Sequence, residues 1–134
     1  MFIKPKKSLG QNFLIDQNVL EQIVDTVEVA NKEVLEIGPG SGNLTTFILK
    51  KNPKKVCVIE KDDELAILLK DKFSDEITII NDDILKISEN KISTGKLTVF
   101  GNLPYNISTE ILSKWIVNID KNFWFENLVL MFQK

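Results

Sequence analysis

Gly101–Ser108 read GNLPYNIS, directly after the apolar run Leu97–Phe100. A plain turn is served by Gly, Asp or Ser. Here the exit of a buried strand sets out a neutral amide, Asn102, a stiff Leu103–Pro104 step and the flat ring of Tyr105. That combination suits a planar, polar object, with the amide on its edge and the ring on its face. Three further polar outliers follow apolar runs. Glu33–Ile37 leads into GPGSGN, where Gly38, Gly40 and Gly42 let the backbone turn tightly and approach a ligand with no Cβ in the way. The spacing GxGxG departs from the dinucleotide fingerprint GxGxxG, and glycines so placed also serve packing alone. Lys55–Ile59 ends at Glu60, a carboxylate able to accept from two ribose hydroxyls. Ile77–Ile80 ends in Asn81-Asp82-Asp83, where an Asp can accept from an exocyclic adenine amine and Ile84 can lie against the ring. An ordinary turn or helix cap accounts for the same residues almost as well.

The elements that would position these groups are legible in the pattern. Glu33–Ile37, Lys55–Ile59, Ile77–Ile80, Leu97–Phe100 and Leu128–Phe132 are short runs that do not alternate with polar residues, as strands buried on both faces do not. Helical patterns fill the gaps. Asp16 is placed to cap a helix with Val19, Leu20, Ile23, Val24 and Val27 on one face. Leu44–Lys51 follows the glycines, Asp63–Phe73 carries a second apolar face, and Ser108 or Thr109 is placed to cap a third bearing Ile111, Leu112, Trp115, Ile116 and Ile119. Ile84–Ser93 has no clear period, and Trp115 and Trp124 read as core. Strand–helix alternation at this spacing gives a doubly wound, mainly parallel α/β sheet, and ligands of such sheets bind beyond the carboxyl ends of the strands. All four polar outliers fall on that rim.

Composition narrows the chemistry. The chain of 134 residues suits one domain with a real core. It has no histidine, which removes the common general base and most zinc chemistry, and no metal is called for. Cys57 is the single cysteine and lies within an apolar run, so it reads as a buried, inert thiol. Net charge is −2, and the 17 basic residues are all lysine, so bidentate guanidinium readout is excluded. Lys4, Lys6 and Lys7 stand in a segment with no acid before Asp16 and are candidate phosphate contacts; Lys50, Lys51, Lys54 and Lys55 read as solvated surface. No stretch is apolar enough to span a membrane and no signal peptide is evident, so the expected address is cytoplasmic.

The glycine loop, the acid after the second run, the Asp after the third and Asn-Leu-Pro-Tyr after the fourth together resemble a class I S-adenosylmethionine-dependent methyltransferase of the kind that methylates exocyclic amines of bases. KKSLGQNFL, EIGPGSGNLT and GNLPYNIST resemble more closely the ribosomal small-subunit RNA adenine dimethyltransferases, the KsgA family, from Lys6 to the end of the chain. The resemblance implies a Rossmann-like class I methyltransferase fold with S-adenosylmethionine as cofactor. Asn12 and Leu14 of the arm would fold over the methyl donor. Gly38 would lie against its methionine part, Gly40 and Gly42 would shape the loop, Glu60 would hold the ribose and Asp83 the adenine amine. Asn102 would touch both donor and target base, Leu103 and Pro104 would supply backbone acceptors, and Tyr105 would stack on the target adenine.

Residues 1–16 then form a basic arm and residues 17–134 a catalytic domain that stops before the family's last strands and its helical C-terminal domain. The final run, Leu128–Lys134, reads as a strand left at an open edge, and a chain so truncated is expected to be inactive alone. The implied partner is small-subunit ribosomal RNA in the immature 30S subunit, with the protein a monomer. A nucleotide-dependent dehydrogenase explains the glycines and Glu60 but not Asn-Leu-Pro-Tyr. A large-subunit RNA methyltransferase of the antibiotic-resistance type shares most motifs, and an assembly factor with methylation as a secondary role is a third alternative.

Overall fold

The computed structural model describes residues 16–87, 96–117 and 125–133. The elements run α1 (Gln17–Asp25), β1 (Glu33–Ile37), α2 (Asn43–Leu49), β2 (Lys55–Ile59), α3 (Asp63–Phe73), a 3-10 turn (Ser74–Glu76), β3 (Thr78–Ile80), a second 3-10 turn (Ile84–Lys86), β4 (Leu97–Pro104), α4 (Tyr105–Val117) and β5 (Phe125–Gln133). The strands form one parallel sheet in the order β3-β2-β1-β4-β5. Strand order reverses at β1, so the crevice between the exits of β1 and β4 is the topological switch point at which open α/β sheets bind ligands.

Side chains alternate along each strand, and both sets find a cover. Val34, Val56, Val58 and Phe100 pack beneath Leu20 and Val24 of α1, Leu44 and Ile48 of α2, and Leu69 and Phe73 of α3. Leu35, Ile37, Cys57, Ile59 and Val99 pack on the other face with Ile84 and with Ile111 and Trp115 of α4. This explains why the strand sequences read as continuous apolar runs, and Cys57 and Trp115 are buried as expected. The Asp16 carboxylate caps α1, accepting from the Asn18 and Val19 amides at 2.9 and 3.4 Å. Val19, assigned to the apolar face, is 39% exposed; Leu20 and Val24 carry the burial.

Two expectations need correction. The Asn-Leu-Pro-Tyr segment does not lie wholly beyond its strand: β4 continues through Pro104, and α4 opens at Tyr105. The extension exists because β5 accompanies it, with Asn102 opposite Met131 and Pro104 opposite Gln133. β5 likewise begins at Phe125, three residues earlier than its apolar run, with the polar Glu126 paired to Lys32 at 3.4 Å. Ser108 and Thr109 are therefore inside α4 rather than capping it. Pro104, with its fixed φ, stands at the helix entry instead, and the fully buried Ser108 hydroxyl turns back to donate to the Leu103 carbonyl at 3.4 Å. β5 is one of the two edge strands of the described sheet, β3 being the other. Trp124 and Ile119 fall outside the described residues. Among the described residues no helix is long and apolar enough to cross a membrane.

Candidate active site

The register brings the four strand exits level. Ile37 pairs with Ile59 on one side and Gly101 on the other, and Ile59 pairs with Ile80. Just beyond, the Gly38 amide donates to the Ile59 carbonyl at 2.9 Å and the Glu60 amide to the Ile80 carbonyl at 2.9 Å. Gly38, Glu60, Asn81–Asp83 and Asn102 thus occupy one rim, with Gly38 and Asn102 on opposite sides of the switch point.

The glycine loop is held from three directions. At Gly38 φ is +67°, and a Cβ there would meet Leu103 Cδ2 at 2.5 Å, so the β4 motif packs directly on the loop. At Gly42 φ is +87°, and a Cβ would meet the Phe73 ring at 2.6 Å and Leu69 Cδ2 at 3.1 Å. Both positions need glycine for backbone conformation and for space. Between them the Gly40 amide donates to Glu60 Oε1 at 3.2 Å, and Lys72 of α3 donates to the Ser41 carbonyl at 3.3 Å.

Glu60 is not a solvated acid. It is 1% exposed, and its other oxygen, Oε2, accepts from the Asp62 amide at 2.9 Å. Burial pushes its carboxyl above the ordinary range, and the two backbone N–H groups only partly offset this. Each oxygen has engaged one N–H and keeps acceptor capacity, so a diol donating to both would supply what the buried anion lacks. Asn81 Nδ2 donates to the Glu60 carbonyl at 3.0 Å and fixes the β2 exit from the next strand.

Asp83 performs the turn role that the sequence allowed. Its Oδ1 accepts from the Leu85 amide at 3.0 Å and caps the 3-10 turn, while Oδ2 lies 3.6 Å from Lys61 Nζ. Ile84 is buried against the α4 face. Asn102, Leu103 and Pro104 are half-buried at the rim. Tyr105 opens α4, but its side chain lies outside what the structure describes, as do Lys4, Lys6, Lys7, Asn12 and Leu14.

Three residues of this neighbourhood take roles the sequence did not suggest, Ser108 among them, which read only as a helix cap. Glu36 points to the α2 face, is 1% exposed, and accepts a short hydrogen bond from the Thr45 hydroxyl. An acid inside the run VLEI was the available signal, because a buried carboxylate needs a partner. Ser108 gave no such signal. Nor did Lys114, whose ammonium lies against the carbonyls of the turn after Asp83.

The parallel sheet in this order, with a glycine loop, an acid and Asn-Leu-Pro-Tyr at the ends of its first, second and fourth strands, is the fold of a class I methyltransferase, as the solved structures it matches show. The crystal structure of the 23S rRNA methyltransferase ErmE superposes with a TM-score of 0.78 at 28% identity, covering 91% of this chain and 48% of that one. A dimethyladenosine transferase from Plasmodium falciparum superposes at 0.74 with 29% identity, covering 92% and 44%. Residues 3–134 match the model of the ribosomal RNA adenine dimethylase family, and the chain belongs to that family, whose methyl donor is S-adenosylmethionine. Its sequence is 76% identical to the ribosomal RNA small subunit methyltransferase A of Pelagibacter ubique (strain HTCC1062) over 134 residues, all of this chain and 51% of that protein. The chain spans about half the length of the curated relatives it matches.

Proposed function

We propose that this chain forms the catalytic part of an enzyme that dimethylates adenosine N6 in small-subunit ribosomal RNA, using S-adenosylmethionine. The observation that carries the reading is the packing of the two motifs on each other: Leu103 of the Asn-Leu-Pro-Tyr segment fills the space above Gly38 at the switch point. Glu60 would hold the ribose, Asp83 the adenine amine, and Gly38, Gly40 and Gly42 the methionine side. Asn12 and Leu14 would close over the donor. When bound, the cofactor supplies an activated methyl: its C–S bond breaks, sulfur keeps the electron pair, and the N6 lone pair makes the new C–N bond.

The protein's work is then alignment. Adenine N6 is a poor nucleophile because its lone pair is delocalised into the ring. The Asn102 side-chain oxygen and the Leu103 or Pro104 carbonyl would accept its N–H groups, make the nitrogen more pyramidal and aim the lone pair. Such orientation removes about 7–11 kcal/mol of barrier in well-aligned cases. Stacking on Tyr105 would supply about 1–3 kcal/mol toward extruding the base. The proton leaves N6 for water after transfer, so the absence of histidine is no obstacle. Lys4, Lys6 and Lys7 would contact phosphate. The setting is a cytoplasmic monomer acting on the immature 30S subunit, with residues 1–16 as a basic arm and 17–134 as the donor-binding domain.

A large-subunit substrate is the nearest competitor, given the likeness to ErmE, but 28% identity there stands against 76% to a protein named for the small subunit. The test is methyl transfer from labelled S-adenosylmethionine to immature 30S and 50S particles, by the chain alone and by the chain fused to the remaining half of the Pelagibacter relative. The fused protein is expected to place dimethyladenosine in small-subunit RNA, and Asn102→Ala to lose the label while holding S-adenosylhomocysteine. Donor binding with label only in 50S RNA, or with none, overturns the reading.

A further inference from the structure

The turn that carries Asp83 is mounted on α4 rather than on the sheet. Its apolar side chains Ile84, Leu85 and Ile87 pack with Ile111 and Trp115 of α4. Its carbonyls converge on one cation: Lys114 Nζ donates to Ile87 O at 3.1 Å, Leu85 O at 3.4 Å and Ile84 O at 3.5 Å. The end of a helical turn leaves carbonyls without partners, and an ammonium has three donors to offer them. The same turn fixes Asp83, whose carboxylate accepts from the Leu85 amide and whose carbonyl accepts from the Lys86 amide at 2.9 Å. Lys61 also approaches Asp83, but its side chain is 67% exposed, and an ion pair so solvated sets geometry only weakly. α4 itself continues directly from Pro104.

We infer that Lys114 is a positioning residue: by gathering the three carbonyls it holds the turn on α4, sets the Asp83 carboxylate for the amine of the donor's adenine, and so joins the purine end of the donor site to the helix that starts at the base-binding motif. The inference rests on the assignment of Asp83 proposed above. It gives a role to a lysine that stands half-buried on α4, next in sequence to the buried Trp115.

The test uses the full chain and its Lys114→Met and Lys114→Arg variants. Calorimetry compares S-adenosylhomocysteine with S-inosylhomocysteine, which carries an oxygen in place of the amine. Wild type is expected to prefer the adenosine compound about tenfold, the Met variant less than about threefold, and the Arg variant to recover most of the preference, as loss and repair of one hydrogen bond to a charged group. Amide hydrogen exchange at Leu85, Lys86 and Ile87 should accelerate at least about tenfold in Lys114→Met while Ile37 and Val58 stay unchanged. Equal binding of both compounds by wild type overturns the Asp83 assignment. Discrimination by wild type that survives Lys114→Met overturns the role of Lys114 alone. Unchanged exchange at the three amides overturns the mount itself, whatever the ligands do.

Discussion

Glu36→Gln should stabilise the protein, and the gain should grow with pH. The side chain projects from the middle of β1 into the layer under α2, where burial strips its hydration; the Thr45 hydroxyl partly offsets this and the nearby Glu60 charge adds to it. The carboxyl is pushed from its ordinary 4.5 up to about 7. A raised acid holds its proton in the native state after the unfolded chain has lost it, so stability falls as pH rises from 4.5 toward 7 and levels off above. The full cost above that window is about 3 kcal/mol. Glutamine carries no charge at any pH, and its carbonyl can still accept from Thr45. Urea denaturation should therefore show the advantage of Glu36→Gln over wild type widening by about 2–3 kcal/mol between pH 5 and pH 8.5, somewhat less if Glu60 relaxes when its neighbour is neutral. A difference that does not vary with pH, or a variant weakened equally at both ends, would show that Glu36 is not a buried acid opposing its own ionisation.

Glu60 is raised by burial as well, but here a ligand should reverse the effect. Hydroxyls donating to the anion lower its pKa, so S-adenosylhomocysteine should bind more weakly as pH falls through the raised value and release protons on binding there, measured by calorimetry in buffers of different ionisation enthalpy. No proton release at any pH would remove Glu60 from the donor site. Gly42→Ala should cost about 2–4 kcal/mol in urea denaturation, from a left-handed backbone and a Cβ pressed against the edge of the Phe73 ring. Gly38→Ala should cost less, about 1–2 kcal/mol and mostly from the left-handed backbone, because the Leu103 methyl can give way, and Leu103→Ala in the same chain should recover the steric part but not the backbone part; strictly additive effects would refute the contact.

The parallel sheet was legible because strands covered on both faces carry no polar alternation, and β1, β2 and α3 fall on the residues the pattern marks. The Asp16 cap was legible because capping is local. The length of β4 was not, since Gly101, Asn102 and Pro104 are poor strand residues held there by pairing with β5, a partner distant in sequence. Lys114 was invisible for the same reason: its three carbonyls lie 27 to 30 residues away, and nothing in ILSKW distinguishes it from a surface lysine. The polar and glycine residues at each strand exit were readable; what holds them in place was not.

The glycine loop shows why packing and binding were hard to separate from the sequence. Two of its contacts come from elements that also deliver candidate site residues, Leu103 from β4 and Glu60 from the exit of β2, while Phe73 and Lys72 come from α3. The space a Cβ would take at Gly38 is already filled by Leu103 of the motif proposed to receive the base. The Leu103 side chain reaches over Gly38, while its backbone carbonyl accepts from the Ser108 hydroxyl at the start of α4. α4 in turn carries Lys114 beneath the Asp83 turn. The residues proposed for the methionine, base and purine ends are therefore joined by a series of contacts running from the glycine loop through Leu103 and α4 to the Asp83 turn, which suits a reaction that depends on alignment rather than on acid–base strength.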